Sequence, residues 1–361
     1  MLSPTDPFDR ALADLVAPPS WQNPRVTGRY DLVVLGGGTA GLVAAIGAAV
    51  VGAKVALVEK EMLGGDCLIF GCVPSKALLH AARVAHAART SGELGIEGEA
   101  SQVRFEVVMR HLRETRVKIA PHDAARTLEE HGVDVFFGEG KLSARDAVEV
   151  ATQRLSFAKA VLATGTTPTI PKIDGLADVE FFTNETIFGL TTLPAHLVVL
   201  GGGPVGCELG QAFRRLGSEV TIVGRDPRLL PKDEEDASLA LLSAFEHEGI
   251  RLVLGATVTR VRAKGERKVL ITSDGLEIEG DVLLVAVGRT PSTKSLGLED
   301  AGIDVDEHGI VVDDHLRTTN PDVYAAGDVA SEQKLTHVAE AMARAALKNA
   351  LFFGRSRRSE L

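Results

Sequence analysis

Two copies of one glycine pattern constrain this chain more than any other feature. The first copy, Gly36-x-Gly38-x-x-Gly41, lies between an apolar strand, 31–35, and a small-residue helix; a second strand, 54–58, then ends at Glu59. The second copy, Gly201-x-Gly203-x-x-Gly206, lies between strand 197–200 and the helical run CELGQAFRRLG; strand 219–223 then ends at Gly224. In such a unit the first glycine permits the tight turn, the second lets the backbone approach a pyrophosphate, and the third lets helix and strand pack closely. The helix N-terminus presents its N–H groups to the phosphates. A single motif of this kind is weak evidence. Two copies, each between strand and helix, predict an α/β chain with two Rossmann-like dinucleotide-binding domains.

The copies differ at the position that reads the ribose. Glu59 offers a carboxylate to an unphosphorylated 2′-hydroxyl. Gly224 offers none, and Arg225 and Arg228 follow, whose guanidinium groups suit a 2′-phosphate. The second site is therefore expected to take NADPH in preference to NADH.

Length and composition agree with two domains. A chain of 361 residues is long for one core, and 45% hydrophobic with 24% charged residues suits a soluble globular protein. A net charge of −10 repels a phosphate backbone, so nucleic acid and anionic membranes are excluded as partners in favour of small molecules. Residues 1–30 have no charged-then-apolar signal pattern, and three cysteines make no secreted disulfide framework, so a reducing cytoplasm is expected. The uncharged run from Leu32 to Ala53 is long enough to span a bilayer, but its glycines read as strand, turn and helix.

Further landmarks divide the chain. VLATGTTP, with Gly165, and LLVAVGRTP, with Gly288, each run an apolar strand into a glycine turn and a proline, as expected where a chain leaves one domain and returns to it. TTNPDVYAAGDVA places Asp328 just after a short strand, at the carboxyl edge where open parallel sheets bind ligands. The expected organisation is an N-terminal extension at 1–28, a first nucleotide domain at 29–165 and 290–354, a second inserted at 166–289, and a tail at 355–361 that is a solvated linker end.

GGDCLIFGCVPSK carries Cys67 and Cys72. Structural zinc needs four ligands, and the remaining cysteine, Cys207, lies in a helix without a histidine pair at ligand spacing. No metal site is expected. A static disulfide is disfavoured by the compartment and by the short loop it would close. Redox chemistry is the third reading: two nearby thiols can form a disulfide, one attacking substrate while the other resolves the mixed disulfide. A flavin would complete it, with Lys76 supplying fixed positive charge near thiolate and ring. Cys207 reads as a packing residue.

The paired cysteines in GCVPSK, with the order of the other landmarks, resemble the flavin-dependent pyridine nucleotide–disulfide oxidoreductases, the family of glutathione reductase, dihydrolipoamide dehydrogenase and mercuric reductase. The segments PSWQNPRVTGRYDLVVLGGGTAGLVAA and KNALFFGRSRR look most like mercuric-reductase-like members. The resemblance implies a glutathione-reductase-like fold with FAD in the first domain, held by Gly36, Gly38, Gly41, Glu59, Gly65, Gly140, Gly165 and Asp328. Gly201, Gly203, Gly206, Arg225, Arg228 and Gly288 would hold the nicotinamide dinucleotide. Cys67 would be the interchange thiol and Cys72 the charge-transfer thiol, with Lys76 near flavin N5 and paired with Glu208.

The chain departs from the family at several positions. Asp66 stands where many relatives carry threonine. Pro204 stands where glutathione reductase has an aromatic over the flavin. The family's third, interface domain, which makes the homodimer and supplies a histidine–glutamate pair or a C-terminal cysteine pair, is not recognisable. Nor is an N-terminal heavy-metal-binding module. His337 is not expected to substitute for the missing acid and base. The expected function is an oxidoreductase that passes hydride from NADPH through FAD to a Cys67–Cys72 disulfide, and on to a small-molecule thiol, disulfide or metal-ion acceptor. The alternatives are a dihydrolipoamide-dehydrogenase-like enzyme, or a truncated flavin-binding fragment with diaphorase or oxidase activity alone.

Overall fold

The computed structural model describes Ser3 and residues 5–96, 102–352 and 356–358. The chain divides into two compact units, one of Pro4–Ile69, Arg116–Thr167 and Thr290–Leu361, the other centred on Phe70–Thr115 and Pro168–Arg289.

The first unit opens with α1 (Pro7–Val16). Asp6 caps it by accepting from the Phe8 and Asp9 amides, and Pro7 begins it where a missing N–H costs nothing. Then come β1 (Tyr30–Leu35), α2 (Thr39–Val50), β2 (Val55–Glu59) and the five-residue α3 (Gly65–Ile69). After α4 (Cys72–Thr90) and α5 (Phe105–Ile119), the chain forms α6 (Ala125–Glu130), β3 (Val133–Phe137), β4 (Gly140–Ala144), β5 (Ala147–Val150) and β6 (Gln153–Leu162). The sheet order is β3-β2-β1-β6-β5-β4. β3, β2, β1 and β6 run parallel, whereas β4 and β5 form an antiparallel meander off β6. Every residue of β2 is buried, the signature of a parallel strand covered on both faces.

Two short strands, β7 (Thr166–Pro168) and β15 (Arg289–Pro291), carry the chain between units. The second unit holds β8 (His196–Leu200), α7 (Pro204–Leu216), β9 (Glu219–Gly224), α8 (Glu235–His247), β10 (Arg251–Leu254) and β14 (Val282–Val285). Its parallel sheet has the order β10-β9-β8-β14, and β11 (Val258–Lys264), β12 (Arg267–Thr272) and β13 (Glu277–Gly280) form a separate antiparallel sheet. Back in the first unit, β16 (Val305–Asp306) pairs with β17 (Gly309–Ile310), and β18 (Val323–Ala325) joins β6 in parallel before α9 (Thr336–Leu351).

One boundary differs from the expected 29–165 segment. Phe70–Thr115 groups with the second unit because α4 lays Leu78 and Ala82 into the core that α7 fills with Leu209, Ala212 and Phe213. Phe105 adds a ring at 5.9 Å from that of Phe213. Hydrophobic burial, at about 25 cal/mol per Å² of apolar surface, therefore decides where these helices belong.

The N-terminal extension and the described residues of the tail both bond to the fold, the tail against the expectation of a solvated linker end. In the extension, the Trp21 indole N–H donates to the Val135 carbonyl, and Asn23 exchanges two hydrogen bonds with Phe137 on the edge strand β3. In the tail, Ser356 exchanges bonds with Asn349, and the Arg358 amide donates to the Asp314 carbonyl at 2.7 Å. The other residues of the expected linker end, 355 and 359–361, lie outside the described residues. The uncharged run from Leu32 is β1, a turn and the 12-residue α2. By length and composition alone, Gly65–Thr90 could cross a membrane, but it is broken between α3 and α4 at 70–71.

Candidate dinucleotide and redox site

The two glycine turns share one backbone device. The Gly36 amide donates to the Val58 carbonyl and the Gly201 amide to the Val223 carbonyl, each at 2.8 Å. Both glycines have positive φ, +100° and +127°, and a Cβ on either would stand 2.3 or 2.2 Å from the carbonyl oxygen of Ala163 or Ala286. Neither position admits another residue. The third glycines are as constrained: a Cβ on Gly41 would lie 1.8 Å from the Gly36 oxygen, and one on Gly206 2.1 Å from the Gly201 oxygen. The helices thus run against their own turns, as close packing of helix on strand requires.

The middle glycines have room. A Cβ on Gly38 would meet only the Gly65 Cα, at 3.8 Å, and one on Gly203 would meet nothing within 4 Å. Gly38 and Gly203 are the N-caps of α2 and α7, and neither helix has a side-chain cap. The first-turn N–H groups of both helices are thus left to a ligand or water.

Glu59 ends β2 and is buried. Its Oε2 accepts from the Gly37 amide at 2.6 Å and its Oε1 from the Glu61 amide at 2.7 Å. Burial raises the carboxyl above its ordinary pKa; the two amide donors and Lys60 pull the other way, and Glu61 adds to the rise. Each oxygen keeps an acceptor site for a further donor. At the same place in the second unit Gly224 offers no side chain to the Gly202 amide; a Cβ there would lie 3.9 Å from that nitrogen but only 3.1 Å from Leu254 Cδ2, so the position is lined closely by the neighbouring strand. Arg225 is exposed. Arg228 instead holds its own loop, its Nη2 donating to the carbonyls of Pro231 at 3.0 Å and Asp233 at 2.9 Å.

The remaining expected positions fall into three settings. Gly65 (φ +52°) lies at the start of α3, where a Cβ would meet the Gly38 Cα at 2.7 Å. Gly140 opens β4 over Val58 and Leu35, with room for no more than a hydrogen, since a Cβ would stand 2.9 Å from Val58 Cγ1. Gly165 and Gly288 both take positive φ, +66° and +140°, in the crossover turns. Asp328 follows β18, where the Thr166 hydroxyl reaches its Oδ2 at 3.3 Å and Lys334 donates to its carbonyl.

Cys67 belongs to the first unit and Cys72 to the second. Cys67 is half-buried in α3, and Cys72, also half-buried, opens α4 behind Gly71. Lys76 is exposed on α4, and Glu208 comes from α7, which packs on α4. Burial raises the Glu208 carboxyl above its ordinary range, with Lys76 lowering it and Cys72 raising it. Glu208 therefore feels both residues. Cys207 is buried, and its thiol is pushed up to about 12 by desolvation and by the charges of Glu208 and Asp233. At that value it is inert. Pro204 occupies the first turn of α7, Asp66 is exposed, and His337 is exposed on the first turn of α9.

Two groups at this site were missed in the sequence reading. Asp123 stands over the redox turn, its Oδ2 2.9 Å from where a Cβ on Gly64 would lie, and burial raises its carboxyl against a smaller lowering by His122. Arg116 is the other, an α5 residue whose Nη1 donates to the Ile69 carbonyl at the end of α3, at 3.1 Å. Neither contact has a sequence signal, since both are set by how α5 and the turn after it cross α3.

Comparison with known proteins places this geometry. Residues 30–343 match the pyridine nucleotide-disulphide oxidoreductase family. The chain belongs to that family. It is 36% identical over 326 residues to a mercuric reductase of Bacillus cereus, covering 89% of this chain and 52% of that protein. It is 34% identical over 336 residues to a dihydrolipoyl dehydrogenase of Acholeplasma laidlawii, covering 91% of this chain and 98% of that protein. The chain thus spans about half the length of the first relative and nearly all of the second. The Cu(II) complex of the HOCl-induced flavoprotein disulfide reductase RclA from Escherichia coli superposes with a TM-score of 0.82 at 27% identity, over 91% of this chain and 73% of that one. The fold is the glutathione-reductase-like α/β fold of these flavoprotein disulfide reductases.

Proposed function

We propose that this chain is a cytoplasmic flavoprotein reductase in which electrons from NADPH reduce a Cys67–Cys72 disulfide by way of FAD. The dithiol would then serve a small-molecule thiol, disulfide or metal-ion acceptor of the mercuric-reductase type. The observation that carries the reading is the pair of equivalent glycine turns with unequal ribose positions: Glu59 sets a carboxylate on the Gly37 amide in one, and Gly224 sets none in the other.

The first unit fits FAD on its own geometry. The open space over Gly38 and the uncapped start of α2 suit a pyrophosphate, and the doubly tied Glu59 carboxylate retains acceptor sites for ribose hydroxyls. Asp328 at the carboxyl end of β18 is placed for a polar chain. FAD, when bound, supplies hydride acceptance from a nicotinamide and two-electron delivery to a disulfide.

The protein's own groups do the rest. Cys72 opens the nineteen-residue α4, where the positive end of a helix favours an ionised sulfur. Lys76 adds a cation one turn further along, and Glu208 balances that charge within the same unit. Reduction of the disulfide takes two electrons and two protons and leaves two thiols. Cys67, in the short α3, is the thiol offered to the acceptor, and Cys72 resolves the resulting mixed disulfide. Coverage of 98% of the dihydrolipoyl dehydrogenase relative keeps lipoamide as the second acceptor to be tried.

Anaerobic titration of the purified chain with NADPH tests this reading. A long-wavelength band from thiolate in contact with bound flavin should grow in, and Cys72→Ala should abolish it. Lack of bound flavin, or a band that survives the substitution, would refute the dithiol mechanism. Turnover with Hg(II), lipoamide and glutathione disulfide then ranks the acceptors.

A further inference from the structure

The segment that carries Cys67 is too short to hold itself in place. α3 has five residues, fewer than an isolated helix needs, and its last carbonyls have no partner within the helix. The structure supplies both ends from outside. At the start, the Leu63 amide donates to the Val16 carbonyl, the last residue of α1, at 3.0 Å. At the end, Arg116 Nη1 donates to the Ile69 carbonyl at 3.1 Å while Nη2 bonds Asp9 Oδ1 of α1 at 3.0 Å. Arg116 and Asp9 are 3% and 5% exposed, so both charges are out of water.

A buried ion pair adds little net stability, because desolvation offsets its attraction, and pairs of this kind persist where they fix a geometry. Here the geometry is explicit. A cation at the C-terminal end of a helix complements its dipole, and the planar guanidinium can serve a carbonyl and a carboxylate at once from separate nitrogens. The carboxylate of Asp9 allows the guanidinium to be buried against the Ile69 carbonyl. Leu12 and Val16, both fully buried, fix α1 in turn.

We propose that α1 and Arg116 form a clamp on the redox turn: Val16 of α1 holds the start of the Cys67 segment, and Asp9 and Arg116 are positioning residues that hold its end and so set the reactivity of its thiol. The proposal rests on the reading of Cys67 as the interchange thiol. It also gives a function to the N-terminal extension, which had none in the sequence.

The test measures the thiol itself and needs neither flavin nor nicotinamide, so its outcome is separate from that of the NADPH titration. The full chain is reduced with a phosphine and alkylated with iodoacetamide, and the rate at each cysteine is read by peptide mass spectrometry, with Cys72 and Cys207 as internal references. The main variant is Asp9→Leu with Arg116→Met, which replaces the buried pair by apolar groups of similar size, a change that is commonly neutral or stabilising. Loss of the charged hydrogen bond to Ile69 should speed Cys67 alkylation about tenfold relative to Cys207, with the melting temperature held. An unchanged ratio, or equal acceleration at all three cysteines, would overturn the proposal. Arg116→Lys is the second variant, a single ammonium that cannot serve both partners from two nitrogens. It should raise the same ratio by a smaller factor, and if the double variant does not fold, an unchanged ratio in Arg116→Lys overturns the proposal.

Discussion

Gly203→Ala should separate the fold of the second unit from its ligand. Gly203 has φ −81° and ψ −179°, extended backbone that any residue adopts, and a Cβ there meets nothing within 4 Å. The only structural loss is a poorer N-cap for α7, about 0.5 kcal/mol, since alanine ranks below glycine at that position. For a chain this long that is about 1–2 °C in melting temperature. The ligand meets a different surface. The new methyl stands over the first turn of α7, where a pyrophosphate must approach to accept from the backbone, and each charge-assisted bond lost costs about 1.5–3 kcal/mol. Loss of one or two weakens NADP binding by about a hundredfold. Gly206→Ala is the contrast: its Cβ, 2.1 Å from the Gly201 carbonyl oxygen, cannot be admitted without moving α7 off β8, so stability should fall by about 1–3 kcal/mol. Calorimetric titration with NADP, with thermal melts of both variants, reads the two effects. An NADP affinity within about twofold of wild type in Gly203→Ala, a difference of only ~0.4 kcal/mol, would refute the placement of the pyrophosphate.

Two other perturbations have definite signs. Arg225→Ala, at an exposed side chain, should cut NADPH affinity about tenfold, leave NADH affinity and melting unchanged, and so erase the preference. Arg228→Ala removes the bonds to Pro231 and Asp233 and should lower the melting temperature instead. An unaltered NADPH to NADH ratio in Arg225→Ala would remove that residue from the ribose site. Asp123→Asn should stabilise the chain at pH 7. The Asp123 pKa is raised in the fold by burial, so the native state binds that proton more tightly than the unfolded chain does. Its favourable contribution is complete below the ordinary aspartate pKa of about 3.9 and is lost as pH rises through the folded value. The gain over wild type should therefore shrink towards zero as pH falls to about 4, and urea melts across that range would show a constant difference if the carboxyl were not desolvated.

What the sequence revealed and what it hid have the same cause. The glycine turns, Glu59 and the GCVPSK helix start are local: each role is fixed by neighbours within one strand–turn–helix unit, and spacing alone locates it. Lys76 and Glu208 are 132 positions apart, and their electrostatic coupling rests on α4 packing against α7, which the family resemblance supplied and the periodicity did not. The grouping of Phe70–Thr115 with the second unit was missed for that reason: the apolar face of α4 shows that it is buried, but not in which core. Both arginines follow the strand at a spacing that suits a phosphate, yet Arg228 also ties Nη2 to the carbonyls of its own loop while its buried Nη1 keeps no hydrogen-bond partner among the described residues, a division of labour that only the turn geometry discloses. Asp9 and Arg116 were hidden altogether, because nothing in an exposed-looking DPFDRALADLV pattern foretells a buried charge.

The comparison of the two turns carries one step further. Their backbones agree at every constrained glycine, so they impose the same path on a bound pyrophosphate and cannot by themselves distinguish a resident cofactor from an exchanging one. The distinction falls to the residue after the second strand. Glu59 is held at both oxygens by amides before any ligand arrives, so it is fixed in place for a ribose and loses little entropy on binding. Gly224 leaves that contact to the arginines beyond it, and a long exposed side chain such as Arg225 must be ordered on each binding event. One backbone design can thus hold one dinucleotide tightly and pass another quickly. The proposed electron path, with FAD resident and NADPH exchanging, requires that asymmetry.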